Sequence, residues 1–148
     1  MSEIPTELLD AYHRTTYSVL VRDAAGDRQI ILHIGERSAE LDSLMEQYSV
    51  DYCAYLTAFN PGSILRDAEE NANRQTELLS LLDSESYTVF TGHSIADADD
   101  WPVEESALVL GIELGRAKAL ASRFGQIGFL YSERGQDVRL ILCDTKSP

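Results

Sequence analysis

The sequence predicts an α/β fold of the mixed α+β kind. It is read as one domain spanning 1–148, with a mixed sheet of about six or seven strands packed by about four helices and a hairpin at each end. Three observations lead there. Strand-helix units follow one another through the middle of the chain, and β-rich segments flank Gly-containing turns near both ends. No repeat, low-complexity tract or Pro/Ser-rich linker divides the 148 residues.

The elements follow in order. A short helix is expected from about Thr6 to Arg14, where Leu8, Leu9 and Tyr12 fall at helical spacing. Thr16 to Val21 and Gln29 to Ile34 are β-rich and enclose Asp23-Ala24-Ala25-Gly26-Asp27, the first hairpin. Ser38 is placed to cap a second helix whose Leu41, Leu44, Met45 and Tyr48 form an inward stripe. Tyr52 to Phe59 is a continuous apolar run rich in aromatics, the pattern of a buried strand. It stops at the turn cluster Asn60-Pro61-Gly62-Ser63.

Asp67-Ala68-Glu69-Glu70 makes an Asp-capped variant of the capping box and opens a third helix to about Leu82. Tyr87 to Gly92 predicts a strand, followed by an acidic loop around Asp97, Asp99, Asp100 and Trp101. Ser106 to Ile112 fits a central strand, although Leu110, Leu114, Ala117, Ala121 and Phe124 also share one helical face. The preferred reading is a strand and then a helix from about Glu113, closed by Gly125 in a left-handed conformation. Ile127 to Ser132 and Val138 to Cys143 complete the second hairpin.

Composition narrows the function classes. Twelve Lys and Arg stand against 25 Asp and Glu, a formal net charge of −13. Nucleic-acid binding relies on neutralising phosphates with Lys and Arg, so no nucleic-acid partner is expected. An anionic membrane surface is disfavoured for the same reason, and no apolar run approaches spanning length. The acidity is read first as a source of solubility in a bacterial-type cytosolic protein. Cys53 and Cys143 lie in apolar runs and are expected to be reduced and buried. The N-terminus lacks a basic segment followed by an apolar one, so a cytoplasmic location is expected.

Several chemistries have no motif here. The histidines His13, His33 and His93 lack ligand spacing, and Asp97-Ala98-Asp99-Asp100 lacks the central Gly and distal Glu of an EF-hand loop, so no metal is expected. There is no Gly-x-Gly-x-x-Gly, Walker loop or Gly-x-Ser-x-Gly elbow, and no cofactor is expected.

The third helix carries the most informative pattern. Leu78, Leu81 and Leu82 point into the core, and stepping back along the same face gives Asn71, Arg74 and Gln75. An unpaired buried amide or guanidinium is costly, so these groups either meet internal partners or line a cavity. In the second case Asn60 and Ser63, at the strand exit, join Asn71 and Arg74 around an anionic ligand near the helix N-terminus. Arg74 would supply a bidentate donor. In the first case Asn60 caps the turn and Arg74 pairs with Glu70 or another surface acid. Trp101-Pro102-Val103-Glu104-Glu105-Ser106 brings two carboxylates into an apolar run. One of them is a candidate base or Arg74 counter-ion; alternatively both are a solvated strand entry.

Thr57-Ala58-Phe59-Asn60-Pro61, Asn71-x-x-Arg74 with Leu78, Trp101-Pro102-x-Glu104-Glu105-Ser106 and Phe124-Gly125-Gln126 occur in this order. As an ordered set, over roughly Tyr12 to Tyr131, they resemble a small bacterial family known as domain of unknown function 3293. This chain has Phe59 where members have Trp or Cys, and Ile127-Gly128 where members have Asn-Ala. The resemblance implies no activity. It implies only that Asn60, Asn71, Arg74, Glu105 and Gln126 are hallmark positions, which coincide with the polar face of the third helix. At a small-molecule site Asn60 and Asn71 would orient the ligand and Arg74 would pair with its charge. Glu105 would act as catalytic base or as the Arg74 counter-ion, and Ser63 and Gln126 would be further ligand-binding positions. Two functions follow as expectations: a small-molecule site for an anionic ligand, catalytic or not, or a regulatory module that meets a protein partner through its acidic surface. A concave cluster of these residues distinguishes the first; a flat apolar patch ringed by acids distinguishes the second.

Overall fold

The computed structural model describes residues 5–97 and 101–143. Its elements are α1 (Thr6–Arg14), β1 (Thr16–Asp23), β2 (Gly26–Leu32), α2 (Ala39–Gln47), β3 (Tyr52–Leu56), α3 (Ala68–Ser84), β4 (Thr88–Ile95), β5 (Glu104–Leu110), α4 (Leu114–Arg123), β6 (Gly128–Glu133) and β7 (Arg139–Leu142). The seven strands form one sheet in the order β2-β1-β4-β5-β3-β6-β7. Seven strands, four helices and a hairpin at each end agree with the expected α+β class. Each neighbouring pair runs antiparallel, so the sheet does not mix directions. The long links through α3 and α4 each skip one strand: β3 connects to β4 across β5, and β5 connects to β6 across β3, so each link joins strands of the same direction that are not neighbours. Ala98–Asp100 of the acidic loop lie outside the described residues.

Local chemistry sets the boundaries. The Ser38 hydroxyl accepts from the Leu41 N–H, and the Asp67 carboxylate accepts from the Glu70 N–H. Each supplies a partner to one of the unpaired donors that open a helix. α4 ends in a Schellman motif: Gly125 N–H bonds Ser122 O, Gln126 N–H bonds Ala121 O, and Gly125 sits at φ +70°. The first turn is tighter than expected. Asp23 pairs directly with Gly26, leaving only Ala24 and Ala25 in the loop.

Strand alternation divides the core between the two sheet faces. One face buries Val19, Ile30, Tyr55, Leu108 and Leu130 beneath Leu41, Leu44 and Met45 of α2. The opposite face buries Ala54, Leu56, Val109 and Phe129 beneath Leu78 and Leu82 of α3, Leu120 of α4 and Phe124 at the C-terminal cap of α4. Because β3 and β5 are covered on both faces, they read as unbroken apolar runs. Cys53 and Cys143 are both free and buried, one in each core. Among the described residues no helix is long and apolar enough to cross a membrane.

Candidate functional site

The site is built where β3 ends. Asn60 follows the strand in a left-handed conformation (φ +46°, ψ +61°), which Asn tolerates better than most residues, and it is buried to 2 % exposure. Asn71 of α3 pairs with it reciprocally. Asn60 N–H donates to Asn71 Oδ1 at 2.9 Å, and Asn71 Nδ2 donates to Asn60 Oδ1 at 2.8 Å. Asn60 Oδ1 also accepts from Arg66 N–H at 2.9 Å. The remaining reach of the side chain is outward: Asn60 Nδ2 donates to Glu104 Oε2 at 2.8 Å.

Arg74 stands behind this pair rather than in front of it. Its Nε donates to Ala58 O at 3.2 Å, its Nη2 to Phe124 O at 2.7 Å, and the guanidinium lies 5.7 Å from the Phe124 ring centroid. A cation at the C-terminus of α4 meets the negative end of the helix dipole. Gln126 works beside it, donating to Phe59 O at 2.9 Å, and Gly62 N–H bonds Gly125 O at 2.7 Å. Three links thus fasten the β3 exit to the end of α4. Gln75 contributes to the same joint, its Oε1 accepting from Ala58 N–H, while its buried Nε2 has no partner among the described residues.

In front of Asn60 lies a cleft of about 290 Å³ between α1 and one end of the sheet. Leu8, Ala11 and Tyr12 of α1 form its roof, and Tyr17, Tyr55, Ser94 and Leu130 form its floor. Phe59, Asn60, Ser63 and Gln126 make one wall, and Trp101 with Glu104 another. The floor is braced. Tyr55 OH donates to Ser18 O at 3.1 Å, and the Tyr17 and Tyr55 rings meet edge to face at 5.5 Å. Gly92 makes room for this tyrosine, since a Cβ there would lie 2.8 Å from the Tyr55 ring and 2.7 Å from Ser18 O.

Glu104 is the polar centre of the cleft. Its Oε2 accepts from Asn60 Nδ2 and from Trp101 Nε1 at 3.1 Å, and its Oε1 has no hydrogen-bond partner among the described residues. Burial raises its pKa above the ordinary carboxylate range, against the two hydrogen bonds, which lower it. Burial likewise pushes the Tyr12 phenol up to about 12, with Glu104 adding to the rise and the neighbouring Ser63 hydroxyl opposing it.

The residues expected at the site therefore separate. Asn60, Ser63 and Gln126 line the cleft, while Asn71 and Arg74 hold its wall from behind. The expected pairing of Arg74 with Glu70 does not form; Glu70 is bridged by Arg66 at 3.5 Å. Glu105 does not face the cleft. Strand alternation turns its exposed side chain to the opposite sheet face, and only its backbone carbonyl takes part, accepting from Thr57 Oγ1 at 2.6 Å. The carboxylate in the cleft is its neighbour Glu104. The aromatic lining from α1, β1 and β3 carried no motif in the sequence.

A family model described as "Protein of unknown function (DUF3293)" matches residues 56–128. Over that segment the chain resembles this family. The DUF3293 segment contains Asn60, Asn71, Arg74, Glu104 and Gln126, hence the whole hydrogen-bonded wall of the cleft. The α1 roof and Tyr17 precede it. Searches of curated proteins and of solved structures gave no match.

Proposed function

We propose that this protein is a small-molecule-binding domain whose ligand occupies the cleft between α1 and the sheet end. The observation that carries the reading is Glu104: a half-buried carboxylate, fixed through one oxygen by Asn60 and Trp101, with the other oxygen unpartnered among the described residues. Convergent polar groups in an otherwise aromatic concavity are the usual composition of a ligand pocket. The concave arrangement favours this over a protein-interaction module, which calls for a flat apolar patch.

The charge expected of the ligand changes with the geometry. An anion was expected from Arg74 and the α3 N-terminus. Arg74 is committed to two carbonyls, and the α3 N-terminus already holds the Asp67 carboxylate. Neither supports an anion in the cleft. Two buried, free thiols support a cytoplasmic location alongside this reading.

A thermal-shift screen of nucleotides, sugar phosphates, amino acids and amines tests it. A ligand at a hundredfold excess over its Kd stabilises the fold by about 2.7 kcal/mol. The stabilisation should disappear in Trp101→Ala. Hits that stabilise Trp101→Ala as well as the parent would place binding outside the cleft and overturn the reading.

A further inference from the structure

We infer that the cleft selects a ligand bearing a protonated amine, which donates to Oε1 of Glu104 while its carbon skeleton packs on the surrounding aromatic rings. The inference rests on the small-molecule reading above and adds the chemical class. Four features support it.

The first is the charge balance of the lining. Glu104, Asp97 and Arg14 are its acidic and basic members, and Arg14 Nε lies 3.7 Å from Asp97 Oδ2 at the mouth. Among the described lining residues that pair cancels and leaves Glu104 as the net charge. The second is the direction of the hydrogen bonds. Oε2 is filled by two neutral donors, so the open oxygen asks for a further donor. A charged donor gains most there, because charge-assisted hydrogen bonds are stronger than neutral ones. The third is the wall chemistry. Tyr12, Tyr17, Tyr55, Phe59 and Trp101 line the space, and a cation gains from the negative face of an aromatic ring. The fourth is the field of the molecule, whose net charge of −13 draws cations toward it.

A matched series separates this inference from the broader reading. Cyclohexylmethylamine, cyclohexylmethanol and cyclohexanecarboxylate share a skeleton and differ in charge. The chain has a single tryptophan, Trp101, so its emission reports binding at the cleft. At pH 7 the amine should bind about tenfold or more tightly than the alcohol, a difference of about 1.4 kcal/mol. Glu104→Gln keeps an acceptor for Asn60 and Trp101 and removes the charge, and it should bring amine and alcohol to within about twofold.

The parent protein gives a second reading that needs no variant. The amine preference should fade as pH falls through the Glu104 titration, while alcohol binding holds. Among the described residues the other titratable groups facing Glu104 are Tyr12 from α1 and Tyr17 and Tyr55 from the sheet, all with raised pKa values and neutral throughout, and the Arg14–Asp97 pair at the mouth. Equal binding of amine and alcohol, or preference for the carboxylate, would overturn the amine assignment and leave the cleft reading standing. No emission change with any of the three would overturn both.

Discussion

Asn60 is the residue through which the scaffold reaches the cleft, and it offers a sharp test. Its Oδ1 is filled by Asn71 and Arg66 donors, and its Nδ2 faces Glu104. Asn60→Asp keeps the shape but replaces the donor with an oxygen beside a carboxylate. Loss of the bond and repulsion between the two acids should destabilise the fold by about 1–3 kcal/mol at pH 7, less at pH 4 as the acids protonate. Urea denaturation at the two pH values measures it, and an equal loss at both would remove Glu104 from the account. Arg74 makes a different prediction. Truncation to Ala forfeits two charge-assisted bonds to carbonyls and should cost about 1.5–3 kcal/mol each or less, given its partial exposure. Arg74→Lys should recover only part, because one ammonium does not span Ala58 O and Phe124 O. Adding Glu105→Ala should give no rescue, since the two side chains do not pair.

At the scale of elements, the joint between the β3 exit and the α4 end positions the wall, and α1 closes the roof. Gly125 is the tightest point of the joint: its φ is +70°, and a Cβ there would lie 2.8 Å from Pro61 Cβ. Gly125→Ala is strained in backbone and in space, and it should destabilise by about 1–3 kcal/mol while shifting Asn60 and weakening ligand binding. The roof is held less firmly. None of the α1 residues is fully buried, and its contacts to the rest include Tyr17 OH to Tyr12 O and the exposed Arg14–Asp97 pair. Amides of α1 should therefore exchange hydrogen faster than those of α3, which buries Leu78 and Leu82. A bound ligand touching Leu8 and Tyr12 should slow α1 exchange specifically.

For the whole molecule, two carboxylates give opposite pH signatures. Asp23 is held at about 2, chiefly by hydrogen bonds from Arg28 and Tyr48. Its stabilisation is present above the unfolded-state pKa and is lost as pH falls below that pKa through the folded-state value of about 2. The Glu104 pKa is raised by burial, so its contribution is full below the unfolded-state pKa and is lost as pH rises through the folded one. Glu104→Gln should thus be as stable as the parent or more so at pH 7, with the advantage shrinking toward pH 4. Urea midpoints across that range decide the sign.

Much of this architecture was legible in the sequence. Ser38, Asp67 and Gly125 marked helix ends because caps are local chemistry, and the polar-to-leucine change along α3 located the Asn60–Asn71 joint. Strand direction was not legible, since nothing local fixes which edge a chain returns to. The choice between Glu104 and Glu105 failed for a related reason. β5 is apolar on both faces beyond Ser106, so alternation gave no parity to say which carboxylate shared a face with Tyr55. Arg74 was read as facing a ligand because its internal partners are backbone carbonyls, which no side-chain pattern reveals.

The central claim is that small molecules bind in the cleft around Glu104, and the indole Nε1–H of Trp101 reports on it directly. As the only tryptophan, it gives one indole cross-peak in a 15N–1H correlation spectrum, from the proton that bonds Glu104 Oε2. Titration with the best ligand of the screen should move that peak together with the backbone amides of Asn60, Ser63 and Gln126, in fast or slow exchange according to affinity. Shifts confined to other parts of the chain, with the indole peak unmoved at saturation, would contradict the account.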